Sequence, residues 1–124
     1  MQVTATAISL NVVDPAASAA WLSRHLGFAE QMSADGFVSL HRDDAPNVIF
    51  LRTGLPTFKP KDRAGSAGEG LLVVFVVDDI DAEYARLQQE GVQIVTPIET
   101  EPWGERYFQM ADPNGIVFQL VQWV

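Results

Sequence analysis

Few side chains in this 124-residue sequence are of types that do chemistry, and they are scattered along it. The absence of cysteine excludes disulfides, thiolate metal sites and cysteine nucleophiles together. Ser9, Ser18, Ser23, Ser33, Ser39 and Ser66 fall in no nucleophile motif. The glycine-rich stretch Gly65-Ser66-Ala67-Gly68-Glu69-Gly70 precedes an apolar run, whereas a phosphate-cradling loop follows one. His25 sits near the C-terminus of a predicted helix, where the helix dipole explains it without catalysis. His41 can serve as an acid–base group or a ligand, or be a solvated strand-end residue beside a loop. That leaves polar groups suited to orienting a bound molecule, Ser39, His41, Arg52, Arg106 and Gln119, interleaved with aromatics.

The closing stretch, residues 101–124, positions several of these. Two apolar, aromatic and β-branched runs flank Asp112-Pro113-Asn114-Gly115, a turn sequence, so the stretch is expected to be a β-hairpin. A four-residue loop at 112–115 pairs Ala111 with Ile116, Met110 with Val117, Phe108 with Gln119 and Arg106 with Val121. Arg106, Phe108, Met110, Val117, Gln119, Val121 and Trp123 then share one face. Its mixture of aromatic, thioether, amide and guanidinium groups suits a pocket wall, or else a core face with polar edges.

Upstream, residues 4–13 alternate as a half-buried strand, with Ile8, Leu10 and Val12 on one face and Ala5, Ala7, Ser9 and Asn11 on the other. Asp14-Pro15 opens a helix that Gly27 stops, and Trp21, Leu22 and Leu26 are its anchors. Residues 29–33, 37–42 and 47–52 read as strands. A loop at 43–46 pairs His41 with Val48, Ser39 with Phe50 and Phe37 with Arg52, placing those six on one face. Residues 53–69 read as a linker, either a crossover or a flap, with Phe58 as an apolar flap tip or a packing anchor. Residues 71–77 form an unbroken apolar run, hence a central strand. A helix over 78–90 carries Asp78, Asp79, Asp81 and Glu83 in its first turns and is stopped by Gly91; strand 92–98 and a loop through Trp103-Gly104 follow.

The chain repeats itself: Val12-Val13-Asp14 and Val76-Val77-Asp78 each lead into a helix and then, at the same distance, a glycine. The fold expected is α+β, a single domain of two βαβββ modules, 1–52 and 70–124, forming a curved mixed sheet with helices outside. Sixteen acidic against eight basic residues give a formal charge of −8, which disfavours nucleic acid and anionic membranes and favours cationic or neutral ligands. No apolar run approaches a membrane span and no signal peptide is evident, so a soluble cytoplasmic protein is expected.

The doubled βαβββ pattern, the Asp14-Pro15 helix start, Leu26-Gly27-Phe28, and Trp103-Gly104-Glu105-Arg106 before Asp112-Pro113-Asn114-Gly115 resemble the vicinal-oxygen-chelate superfamily. That superfamily includes glyoxalase I, extradiol dioxygenases and the bleomycin-resistance proteins. Its enzymes typically hold a divalent metal on the concave face, and the resemblance carries those positions onto Ala7, Phe50, Leu72 and Gln119. Only Gln119 could coordinate, so no metal and no cofactor is expected. The closest resemblance is to the metal-free bleomycin-resistance branch. It implies a homodimer that sequesters a bulky aromatic antibiotic unchanged: a bleomycin-type glycopeptide, a mitomycin-type quinone or an anthraquinone-fused enediyne, as in self-resistance. The candidate ligand residues are Phe37, Ser39, His41, Phe50, Arg52 and Phe58 in the first part, and Trp103, Arg106, Phe108, Met110, Gln119 and Trp123 in the second. The alternative is a small lyase, isomerase or dioxygenase of the same superfamily, either metal-independent with His41 as base or using a metal at noncanonical positions.

Overall fold

The structure, a computed structural model, describes residues 1–124. The chain divides into two compact units, Met1–Glu69 and Gly70–Val124. Each contains one helix and one four-stranded mixed sheet, an α+β architecture. The eight strands hydrogen-bond as two four-stranded sheets, one in each unit.

In the first unit β1 (Ala7–Val12), α1 (Pro15–Leu26), β2 (Ala29–Ala34), β3 (Phe37–His41) and β4 (Asn47–Arg52) follow in order. The sheet order is β1-β4-β3-β2, with β1 parallel to β4 and the others antiparallel. The Asp14 carboxylate accepts from the Ala17 amide, Pro15 occupies the first turn, and Gly27 closes the helix at φ 69°. Trp21, Leu22 and Leu26 are buried, as expected of anchors, and α1 packs across β3 and β4. Leu10, Val12, Val38, Leu40, Val48 and Phe50 form the buried face of the sheet.

Residues 53–69, read as a linker, fold back onto this unit. Asn11 is the tie: its Nδ2 donates to the carbonyls of Arg63 at 2.7 Å and Gly65 at 2.9 Å, and its carbonyl accepts from the Ala67 amide. A short 3-10 turn, Lys61–Arg63, lies within the excursion.

In the second unit β5 (Val73–Val76), α2 (Ile80–Gln89), β6 (Gln93–Thr100), β7 (Glu105–Ala111) and β8 (Val117–Trp123) repeat the order, and the sheet runs β5-β8-β7-β6. The α2 cap is Asp79, whose side chain accepts from the Ala82 amide. The repeat therefore aligns Asp14 with Asp79, one residue later than the Asp78 expected. Gln122 from β8 adds a second clamp on this terminus, accepting from the Ile80 amide and donating to the Asp78 carbonyl. The apolar run expected to be a central strand is the edge of its sheet, and Leu72, Val74 and Val76 are exposed.

Candidate functional site

The hairpin register decides which side chains can meet a ligand. The Asp112 amide donates to the Ile116 carbonyl, the Gly115 amide to the Asp112 carbonyl, and Asp112 Oδ1 accepts from the amides of Asn114 and Ile116. With Gly115 at φ 84°, this is a turn followed by a left-handed glycine, one residue longer than a loop spanning 112–115. Pairing therefore begins at Ala111–Val117 and continues through Met110–Phe118, Gln109–Gln119, Phe108–Leu120, Tyr107–Val121 and Arg106–Gln122.

A one-residue shift turns a strand over. Arg106, Phe108 and Met110, expected beside Gln119 and Trp123, instead face α2. The Phe108 ring lies 4.8 Å from the Tyr84 ring, centroid to centroid, and both Phe108 and Met110 are fully buried. The Arg106 guanidinium grips both oxygens of Asp81, at 2.7 and 3.2 Å, and donates to Thr100 Oγ1. That bond holds the Asp81 carboxyl below the usual carboxylate range. The face turned away from α2 carries Tyr107, Gln109, Gln119, Val121 and Trp123.

The first unit shows the same correction. Phe37 pairs with Leu51, Val38 with Phe50, Ser39 with Ile49 and Leu40 with Val48. Phe37, Ser39 and His41 thus share the open face with Ile49 and Leu51. Phe50, expected in the site, is fully buried on the face that meets α1. Arg52 follows Phe50 in parity, and its guanidinium pairs with Asp35 at 3.1 Å over the β2–β3 turn. Phe58 is half-buried in the excursion after β4. Trp103 is 66% exposed in the turn before β7. The next residue must be glycine, because a Cβ on Gly104 would stand 2.7 Å from the Val124 carbonyl oxygen at φ 91°.

His41 is fully engaged. Nδ1 meets Asn47 Oδ1 at 2.7 Å and Nε2 meets Asp43 Oδ1 at 2.9 Å. Asn47 and then Asp43 raise its pKa above the ordinary histidine value. Both ring nitrogens therefore face acceptors, which suits an imidazolium pinning the β3–β4 turn and not a free base.

Two sites of polar order on the open face of the second unit were not anticipated from sequence. Thr96 Oγ1 donates to Gln109 Oε1 at 2.6 Å, and Gln109 Nε2 donates to Gln119 Oε1 at 2.9 Å. The Tyr107 hydroxyl lies 2.7 Å from Glu99 and 2.8 Å from Glu101, and these carboxylates drive its pKa well above the ordinary tyrosine value. The available signal was alternation: in the observed register Tyr107, Gln109, Gln119 and Trp123 alternate with Phe108, Met110, Phe118 and Leu120.

The residues present do not fit a resident divalent metal. The open faces offer Ala7, Leu72 and Gln119, with Ile49 in place of the inward-facing Phe50, and three of these four side chains have no donor atom. No group of three histidine, cysteine or carboxylate side chains is placed to hold an ion.

Comparison with known proteins sets these features in a family. The family model described as the Glyoxalase/Bleomycin resistance protein/Dioxygenase superfamily matches residues 4–120. Among solved structures, TioX from Micromonospora sp. ML1 superposes with a TM-score of 0.77 at 24% identity, over 98% of this chain and 100% of the other. TnmS3, an antibiotic binding protein from Streptomyces sp. CB03234, gives 0.74 at 23%, over 99% and 98%. A lactoylglutathione lyase from Agrobacterium tumefaciens gives 0.77 at 17%, over 98% and 94%. An uncharacterised protein of Mycobacterium bovis is 31% identical over 88 residues, 71% of this chain and 53% of its own length; the chain spans about half the length of the curated relatives it matches. With the family model covering nearly the whole sequence, the chain belongs to the glyoxalase/bleomycin resistance protein/dioxygenase superfamily.

Proposed function

We propose that this protein binds a bulky aromatic antibiotic and sequesters it without chemical change. The candidate ligand classes are bleomycin-type glycopeptides, mitomycin-type quinones and anthraquinone-fused enediynes. The observation that carries the reading is the donor set: of Ala7, Phe50, Leu72 and Gln119, the positions onto which the superfamily resemblance carries the metal ligands, only Gln119 has a donor atom, and Phe50 is buried on the face that meets α1. Without those donors the open face of each unit suits stacking and hydrogen bonding, with Phe37 and Ser39 available on the first and Tyr107, Gln109, Gln119 and Trp123 on the second. Likeness to an antibiotic binding protein supports the same reading. Resistance on this mechanism is mass action: a tight complex lowers free drug and needs no turnover. The net charge of −8 favours a neutral or cationic drug.

On this reading residues 1–124 act as one domain, with 1–52 and 70–124 as its modules and 53–69 connecting them, in a cytoplasmic homodimer. No helix is long and apolar enough to cross a membrane. The exposed Leu72, Val74 and Val76 along the edge strand β5 support burial against a second copy.

Likeness to a lactoylglutathione lyase favours a second reading, an enzyme. A thermal-shift screen of metal-stripped protein against aromatic antibiotics, with mass spectrometry of each ligand that shifts the melt, separates the two. A ligand at 100 times its Kd stabilises by about 2.7 kcal/mol. Recovery of an intact stabilising drug supports sequestration. A ligand returned altered, or binding only after a divalent metal is restored, refutes it.

A further inference from the structure

We infer that the open face of the second unit presents a hydrogen-bond donor of fixed polarity, the Gln119 amide NH2, and so selects aromatic ligands that offer a neutral acceptor oxygen, such as a quinone carbonyl. The inference rests on the binding reading above and sharpens its ligand class.

Three side chains stand in line across β6, β7 and β8, since Thr96 pairs with Gln109 and Gln109 with Gln119. A glutamine amide is ambiguous by itself, because either end can face a partner. Here Thr96 resolves it. Its oxygen lies 2.6 Å from the Gln109 side chain, a separation that suits O–H···O and is shorter than N–H···O bonds, which run from about 2.7 Å upward. The Gln109 oxygen therefore faces Thr96, and its NH2 is turned to Gln119. It meets Gln119 Oε1 at 2.9 Å, an ordinary N–H···O distance.

The orientation passes along the row. With its oxygen taken, Gln119 turns nitrogen outward, and that nitrogen makes no hydrogen bond to the chain. Gln119 is only 7% exposed, yet no fully buried side-chain nitrogen or oxygen lacks a partner, so the amide nitrogen keeps some access to the open surface. An amide nitrogen has no lone pair for a metal or for a ligand's donor. Turning the row over would break the Gln109–Gln119 bond and pair oxygen with oxygen unless all three residues reversed together. A ligand ammonium placed here would face N–H groups with no lone pair to offer them, whereas an acceptor oxygen such as a carbonyl completes the row. An anionic acceptor is disfavoured by the charge of the protein.

The test has two arms. In the free protein, amide-proton exchange of the 15N-labelled side chains should be about tenfold slower for the bonded Gln109 proton than for Gln119. Thr96→Val should erase that difference and Thr96→Ser should keep it. Slower exchange at Gln119 than at Gln109 overturns the polarity. In the second arm, 2-(aminomethyl)anthraquinone and 2-(aminomethyl)anthracene, matched in charge and ring number, are titrated by tryptophan fluorescence. The quinone should bind the unaltered protein about tenfold more tightly. Gln119→Glu, which puts an acceptor where the donor stood, should abolish that preference. Equal affinity for both probes overturns the inference and leaves the binding reading standing. Binding of neither overturns the inference and counts against the binding reading as well.

Discussion

Replacing Phe108 by alanine tests the register on which the site depends. If β7 and β8 pair as described, Phe108 stands opposite Leu120, fully buried and in contact with the Tyr84 ring of α2. Removing it deletes a complete aromatic side chain from the core, a change that costs about 3–5 kcal/mol, of which the ring pair supplies roughly 0.5–1.5. At about 4 °C per kcal/mol for a chain of this size, the melting temperature should fall by roughly 12–20 °C in a far-UV circular dichroism melt. The matched control is Trp123→Ala. Trp123 is 57% exposed on the opposite face, and its loss should change stability by no more than about 0.5 kcal/mol. Tyr84→Ala combined with Phe108→Ala should be less destabilising than the sum of the two by about 1 kcal/mol, because the second truncation removes a contact already lost. In the alternative register, with Phe108 opposite Gln119, the ring would lie on the ligand face that Gln119 and Trp123 share. A Phe108→Ala protein that melts within about 1 kcal/mol of the parent but loses drug binding would refute the pairing and every assignment of faces drawn from it.

Gly104→Ala should destabilise by about 1–3 kcal/mol in urea titration, since its φ of 91° and the nearby Val124 carbonyl both exclude a Cβ; a neutral result would mean the C-terminal residues do not close on that turn. Gln122→Ala removes two bonds to the start of α2 and should cost about 1–2 kcal/mol, read as faster amide exchange at Ile80 and Asp81. The raised pKa of His41 adds stability that is full below pH 6.5 and is lost as pH rises through the folded-state value, because the folded protein holds this proton more tightly than the unfolded chain does. An NMR titration should find the His41 midpoint above 6.5 and find it lowered by Asn47→Ala; an unshifted midpoint in the parent protein would contradict the two-acceptor geometry. Tyr107 also holds its proton more tightly when folded, so its contribution is present below pH 10 and is lost above it. Glu99→Gln with Glu101→Gln should therefore bring an additional phenolate absorbance near pH 10 that the parent protein lacks.

The elements of this fold were legible because each rests on local chemistry. Asp14-Pro15 and Gly27 bracket α1, the strand boundaries follow the apolar runs to within a few residues, and the doubled order of strand, helix and three strands announced the family. What local chemistry did not convey was a count of one. Asp43-Asp44-Ala45-Pro46 and Asp112-Pro113-Asn114-Gly115 both signal a turn, but neither says whether the flanking residue belongs to the loop or to the ladder. In each case it belongs to the loop: Leu40 pairs with Val48, and Ala111 with Val117. Because side chains alternate, that single residue moved Phe50, Arg52, Arg106, Phe108 and Met110 off the open faces while leaving Phe37, Ser39, His41, Gln119 and Trp123 on them.

A second constraint in the sequence could have made the choice. With a loop at 112–115, Phe108 and Met110 share a face with Gln119, and Phe118 and Leu120 share the other with Tyr107 and Gln109, so neither face is apolar enough to cover a helix. The longer loop gathers Phe108, Met110, Phe118 and Leu120 on one side and Tyr107, Gln109 and Gln119 on the other. Only that sorting gives α2 a dry surface for Ile80 and Leu87, both fully buried, and lets the two glutamine amides meet each other in place of burying them unpaired. The polar row that defines the candidate site is thus a consequence of the same register that completes the core. A variant that forces a shorter turn, by deleting Gly115, should lose both together, with a lowered melting temperature and no protected Gln109 amide proton; loss of either one alone would show that the two are independent.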